Sequence, residues 1–231
     1  MGKLIKIKKA AAGFADAAAL SCGKDELIVG KAVCAAEVCE CECAATVVEG
    51  CDASTVNAGK ALTCGEMVFR GDVGANAGKD MADGVLRVEG SAGEYACANM
   101  QGGLAVFNGD VADGFGADMR RGIAVVYGKA HGNVLMDMLG GTALLLGGLA
   151  DDASLCQGMN RGTVILPSAD LVPEGFQKAA DVDIMFLRVL FRELSDRGVN
   201  VPENWMGRPF TRWRGDMAAL GKGEILTPAA E

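Results

Sequence analysis

Histidine is almost missing from this sequence: His131 stands alone. A Ser–His–Asp or Cys–His arrangement would have to use it, and its neighbours Lys129, Gly132 and Asn133 offer no nucleophile. Aromatic residues make up only 5% of the chain, in keeping with thin layers that have little internal room. No stretch of about eighteen apolar residues exists, so no transmembrane helix is expected. Positive charge is in deficit. The net charge of −8 disfavours nucleic acid and anionic membranes as main partners. A phosphate-binding G-x-x-x-x-G-K-[ST] loop is absent, as are a dinucleotide G-x-G-x-x-G after a strand and any His/Asp/Glu cluster with metal-ligand spacing. The sequence therefore offers no catalytic residue and no metal ligand.

The N-terminus carries Lys3, Lys6, Lys8 and Lys9, but Asp16 interrupts the apolar part that a secretory signal would need. Leu4-Ile5-Lys6-Ile7-Lys8 alternates like an edge strand instead. Met1-Gly2 invites myristoylation, yet Lys6 stands where that signal has Ser or Thr. A cytoplasmic protein is the expectation.

What the chain has in excess is periodic glycine. Gly71, Gly90, Gly109, Gly128 and Gly147 follow one another at nineteen residues (90 − 71 = 109 − 90 = 19), and so do Gly65, Gly84, Gly103, Gly122 and Gly141. Met81, Met100, Met119 and Met138 form a third ladder with the same step. Three registers with one period define a repeat architecture, in which each unit buries its apolar face on the next.

Between the glycines lie runs suited to strands: Glu66–Arg70, Val85–Glu89, Leu104–Asn108, Ile123–Tyr127 and Thr142–Leu146. Their second and fourth places are Met67/Phe69, Leu86/Val88, Ala105/Phe107, Ala124/Val126 and Ala143/Leu145. All are apolar, and a period of two puts them on one inward face. The fifth place, Arg70, Glu89, Asn108, Tyr127 and Leu146, is mostly polar and predicted to point outward. The gaps between runs are too short and glycine-rich for helices. Short strands and tight corners at this period predict a mainly β protein, a right-handed parallel β-helix of about six coils. Coils about 4.8 Å apart would make a stack of roughly 29 Å with the methionines in an internal column. The steps Gly50 to Gly71 and Gly141 to Gly162 lengthen to twenty-one (71 − 50 = 162 − 141 = 21), as terminal coils often do. Pro167 stops the last strand, Thr163–Leu166. Asp72 and Asp110 recur at equivalent corners, where local turn hydrogen bonds account for them.

Three segments follow: an N-terminal capping segment over 1–45, the β-helix over 46–167, and a C-terminal helix and tail over 168–231. In the third, residues 181–197 carry the apolar stripe Ile184, Leu187, Val189, Leu190, Phe191 and Leu194. Asp181 and Asp183 favour the start of this helix, Arg197 its end, and Gly198 is a C-cap candidate. Such a helix should lie across the open end or flank of the solenoid, covering strand edges. The tail beyond it holds Trp205, Trp213 and the cluster Arg208, Arg212 and Arg214. Packing of both tryptophans on the solenoid and a partner-facing patch are both open readings, and the two can coexist.

Nine cysteines are scattered through the chain: Cys22, Cys34, Cys39, Cys41, Cys43, Cys51, Cys64, Cys97 and Cys156. Cys39-Glu40-Cys41-Glu42-Cys43 looks like a metal site, but alternate residues of a strand sit almost ~7 Å apart. Thiolates sharing one zinc, each about 2.3 Å from it, need their sulfurs within roughly 4 Å of each other. Sulfurs facing inward and carboxylates facing water is the expectation, with cysteine acting as a small hydrophobe in a reducing compartment.

The spacing Gly71-xx-Gly74-xxx-Gly78 at a nineteen-residue period resembles the glycine-repeat β-helix shared by the C-terminal domain of glutamate synthase and the C-type subunit of formylmethanofuran dehydrogenase. The resemblance runs from about 46 to 167. The motif decays at Cys97, Ala112, His131 and Leu135. Phe210-Thr-Arg-Trp-Arg-Gly215-Asp216, followed by Gly221-Lys222-Gly223-Glu224, is similar to the end of that C-type chain, most of all in the bacterial formyltransferase/hydrolase complex. The resemblance implies a non-catalytic scaffold subunit of such a complex, in tetrahydromethanopterin-linked one-carbon metabolism. Its implied partners are an amidohydrolase-like subunit, a molybdopterin-enzyme-like subunit and a formyltransferase subunit. The complex moves a formyl group from tetrahydromethanopterin to a methanofuran-type carrier and releases formate. No cofactor bound by this chain itself is expected, and contact of the carrier's anionic tail with Arg208, Arg212 and Arg214 is the one candidate site. The other implied context is a glutamate-synthase-type structural domain between an amidotransferase and an ammonia-using site.

Overall fold

The computed structural model describes residues 3–6, 15–16, 45–215 and 222–230. The strands in chain order are β1 (Lys3–Lys6), β2 (Ala15–Asp16), β3 (Ala45–Cys51), β4 (Thr55–Val56), β5 (Glu66–Gly71), β6 (Val85–Val88), β7 (Leu104–Phe107) and β8 (Ile123–Val126). They continue with β9 (Asn133–Val134), β10 (Thr142–Leu145), β11 (Ser154–Leu155), β12 (Thr163–Ile165), β13 (Gln177–Val182), β14 (Phe210–Arg214) and β15 (Glu224–Pro228). One helix, α1 (Met185–Asp196), lies between β13 and β14.

The nineteen-residue step is the register of the main sheet. Glu66 pairs with Val85, Val85 with Leu104, Leu104 with Ile123 and Ile123 with Thr142, all in parallel. The sheet has eleven strands in the order β1-β3-β5-β6-β7-β8-β10-β12-β15-β14-β13. A second line of parallel bridges, Val73–Ala92–Val111–Ala130–Leu149, climbs another side of the stack. This is a parallel β-solenoid of about six coils.

The two glycine ladders have different roles. A Cβ on Gly128 would lie 2.5 Å from the Gly109 carbonyl oxygen, and one on Gly147 would lie 2.5 Å from the Gly128 carbonyl carbon. In this ladder backbone rests on backbone, and no side chain fits between coils. At Gly122 φ is +93°, and a Cβ would meet the Met100 Cε at 2.8 Å. The equivalent contact recurs for Met81 under Gly103 and Met119 under Gly141. The methionine column is buried, as the sequence predicts, and it seats against the second glycine ladder. The corners put every second residue in the left-handed region, as at Asn76, Gly78 and Asp80. Where the motif loses its third glycine, Cys97 and Leu135 hold that conformation themselves, at φ 56° and 55°, each at a cost of about 1–2 kcal/mol.

The inward places of the strands behave as expected: Phe69, Leu86, Phe107, Ala124, Val126 and Leu145 are fully buried in the solenoid interior. The outer face of the same sheet carries a second core. Leu104, Val106, Val125, Leu144, Ile165 and Leu226 pack there against Leu187, Leu190, Phe191 and Leu194 of α1. Phe191, Trp205 and Phe210 complete it with ring centroids 5.8–6.0 Å apart.

Several expectations for the C-terminal part need correcting. The helix begins at Met185 rather than 181, because Asp181 and Val182 belong to β13, which pairs antiparallel with β14. The Thr211 hydroxyl donates to the Asp181 carboxylate and holds its pKa below the usual carboxylate value. Val189 faces out, 61% exposed. The helix covers a sheet face, not strand edges. The edge of β12 is closed by β15, which pairs with it in parallel, Thr163 against Glu224. The helix end follows the expectation: Gly198, at φ 73°, donates to the Ser195 carbonyl, and the Val199 N–H donates to Leu194, as in a Schellman cap. Both tryptophans pack. Trp205 is buried under α1, and Trp213 lies half-buried on the solenoid with its indole N–H on Thr227.

Candidate functional site

The three candidate arginines separate. Arg208 donates from Nε and Nη2 to the Ala229 carbonyl, at 3.1 and 2.5 Å, and fastens the C-terminal end of the chain. Arg212 and Arg214 stay together on β14. Arg212 donates to Glu224 from Nε at 2.6 Å and from Nη2 at 2.5 Å, while the Thr163 hydroxyl donates to the other Glu224 oxygen at 2.8 Å. Arg214 is exposed beside this pair, and Lys222 joins it across a cleft of about 320 Å³. Lys222 is the residue that sequence reasoning missed. Its only signal is its position two residues before Glu224, and that means something only once β15 is known to pair with β14.

His131 lies between two carboxylates from neighbouring coils, with Nδ1 3.2 Å from Asp152 and Nε2 3.9 Å from Asp110. Both partners are twenty-one residues away (152 − 131 = 131 − 110 = 21). The group ties three coils together at the surface and brings no nucleophile to the ring. The corner aspartates also act between coils, which corrects the local-turn expectation. Asp72 accepts from the Ser91 N–H at 2.8 Å, and Asp110 accepts from the Lys129 N–H at 2.7 Å.

Cys22, Cys34, Cys39, Cys41 and Cys43 lie outside the described residues, as does most of the 1–45 capping segment. Cys51, Cys64, Cys97 and Cys156 are free thiols. Burial pushes the Cys51 thiol up to about 11, and it pushes Cys97 and Cys156 further still. Because the thiolate is the reactive form, Cys97 and Cys156 should resist iodoacetamide at about pH 8 in the folded protein and react once it is unfolded. Peptide mass spectrometry reads this directly, and fast native labelling of either would contradict their placement in the core. Among the described residues no group of three His, Cys, Asp or Glu side chains could hold a metal ion. Among them, too, no helix is long and apolar enough to cross a membrane.

Fold and site together define a parallel β-solenoid locked by glycine and methionine columns, with a basic cleft at its C-terminal corner. No protein-family model matches the chain, and no curated protein does. Among solved structures it is similar to a chain of the formyltransferase/hydrolase complex (FhcABCD) from Methylorubrum extorquens, determined in complex with methylofuran. The identity is 30%, the match covers 84% of this chain and 82% of that one, and the TM-score is 0.64. At that identity and coverage, the protein belongs to the same family as that chain of the formyltransferase/hydrolase complex.

Proposed function

We propose that this chain is the scaffold subunit, of the C type, of a formyltransferase/hydrolase complex. The observation that carries the reading is the 30% identity extending over more than four-fifths of both chains. In this role the solenoid positions the other subunits and leaves the chemistry to them. The inter-coil contacts support that division of labour. Carboxylates such as Asp72, Asp110 and Asp113 are engaged in holding the next coil, and Cys97 and Cys156 are shut into the core. Backbone packed on backbone at Gly128 and Gly147 makes a stiff block, suited to holding separate active sites at fixed distances. The partners are an amidohydrolase-like subunit, a molybdopterin-enzyme-like subunit and a formyltransferase subunit. Together they work in the cytoplasm on a formyl group passed from tetrahydromethanopterin to a methanofuran-type carrier and released as formate.

An affinity-tagged copy expressed in its own host tests the assembly. The three partners should co-purify in fixed ratio and survive gel filtration as one species. Recovery of the tagged chain alone, or with amidotransferase and glutamate-synthase proteins, would overturn the reading.

A further inference from the structure

The cleft at the C-terminal corner is bounded by Thr163, Arg212, Arg214, Lys222, Gly223 and Glu224. We propose that it is a binding site for a small organic anion carrying two carboxylates. The charge count is the first support. Among the described residues three cations face one carboxylate, a net of +2 (3 − 1), inside a chain whose net charge is −8. A concave site of one sign focuses its field and concentrates counter-ions.

The bonding within the cleft is the second. Glu224 is already satisfied by the Thr163 hydroxyl and the Arg212 guanidinium. That pair fixes Arg212 in place as a wall. The side chains of Arg214 and Lys222 have no ion pair or hydrogen bond among the described residues. They are the two charges placed to meet a ligand, one for each carboxylate.

Donor chemistry chooses between classes of anion. Phosphate sites commonly rely on open backbone N–H groups. Here the Gly215 N–H donates to the Gly223 carbonyl, and the Glu224 N–H donates to Gly162. The cleft's positive charges are all on side chains, and a planar guanidinium matches a planar carboxylate through paired N–H bonds. Glu224 in the wall also weighs against a compact dianion more than against two separated single charges. At about 320 Å³, the cleft is in the range of small-molecule sites and larger than a lone ion needs.

This inference goes beyond the proposed assembly and is tested without it, on the purified full-length chain. Calorimetric titration at low ionic strength uses glutarate as the dicarboxylate, with acetate and inorganic phosphate for comparison. Glutarate should bind about tenfold more tightly than either. The double variant Arg214→Gln/Lys222→Gln should weaken glutarate by about tenfold. Arg192→Gln, an exposed arginine on α1, should leave it unchanged. Raising the salt to about 0.5 M should weaken binding to the wild type and close most of the gap to the double variant. Both side chains of the double variant are exposed, and an unchanged circular dichroism spectrum verifies that it folds. Equal glutarate binding by wild type and double variant would overturn the site. Phosphate binding as tightly as glutarate would overturn the carboxylate assignment. Either result would leave the co-purification outcome untouched, so the two proposals fail separately.

Discussion

Replacing Gly128 with alanine should destabilise the chain by about 3 kcal/mol, the upper end of what forced overpacking costs. The reason is local and steric. The new methyl would sit 2.5 Å from the Gly109 carbonyl oxygen and closer still to its carbon and to the Asp110 carboxylate. Two of these three neighbours are backbone of the coil below, whose own hydrogen bonds continue the stack. The Ala130 N–H donates to Gly148 above, and the Val111 N–H donates to Lys129. A shift at Gly128 therefore opens both interfaces of its coil. Gly65→Ala is the control. Its φ is +77° but nothing lies within 4 Å of the new Cβ, so it should cost only the left-handed penalty of about 1 kcal/mol. Urea unfolding of the full chain measures both. Equal losses at the two sites would mean that the glycine ladder reflects turn geometry alone and not backbone contact between coils.

The second large effect is expected at Phe191. This side chain is 1% exposed and touches both Trp205 and Phe210 at ring separations of 5.9 and 6.0 Å. It is the centre of the outer core between α1 and the sheet. Phe191→Ala should cost about 3–5 kcal/mol, the range for truncating a buried aromatic. It should also flatten the near-ultraviolet circular dichroism of Trp205. Val189→Ala, two positions away on the exposed side of the helix, should stay within about 0.5 kcal/mol of wild type. A loss at Val189 as large as that at Phe191 would show that α1 packs by its other face. Further anchors at the helix's far end, the Arg87 guanidinium on the Arg197 carbonyl and the Tyr127 hydroxyl on Asn200 at 3.0 Å, keep the helix docked in both variants. The effect then reads packing and not detachment.

The solenoid is legible in the sequence because its period is carried by residues with few physical uses. Gly128 marks a close approach of backbones, and Gly141 a left-handed turn over the buried Met119. The outer core is harder to read, though its signal is present. Val106, Val125 and Leu144, the third places of three successive strands, are as apolar as the second and fourth places, which marks a sheet covered on both faces. The inward alternation masks it. The strand β13 resembles the first turn of a helix because Asp181 and Asp183 look like helix-start residues. In the fold, Asp181 bonds Thr211 across the strand pair, and Asp183 receives the Arg188 guanidinium at 2.5 Å. The parallel pairing of β15 with β12 brings Glu224 next to Thr163, sixty-one residues earlier. No local pattern encodes such a contact, so Arg212 and Arg214 point to a basic cleft but cannot complete it with Lys222.

The most direct measurement is an experimental structure of the complex isolated through a tag on this chain. The nineteen-residue solenoid should contact at least two other subunits, with none of its residues lining the site where the formyl group is transferred or hydrolysed. A side chain of this protein within bonding distance of the reacting carbonyl would contradict the scaffold role.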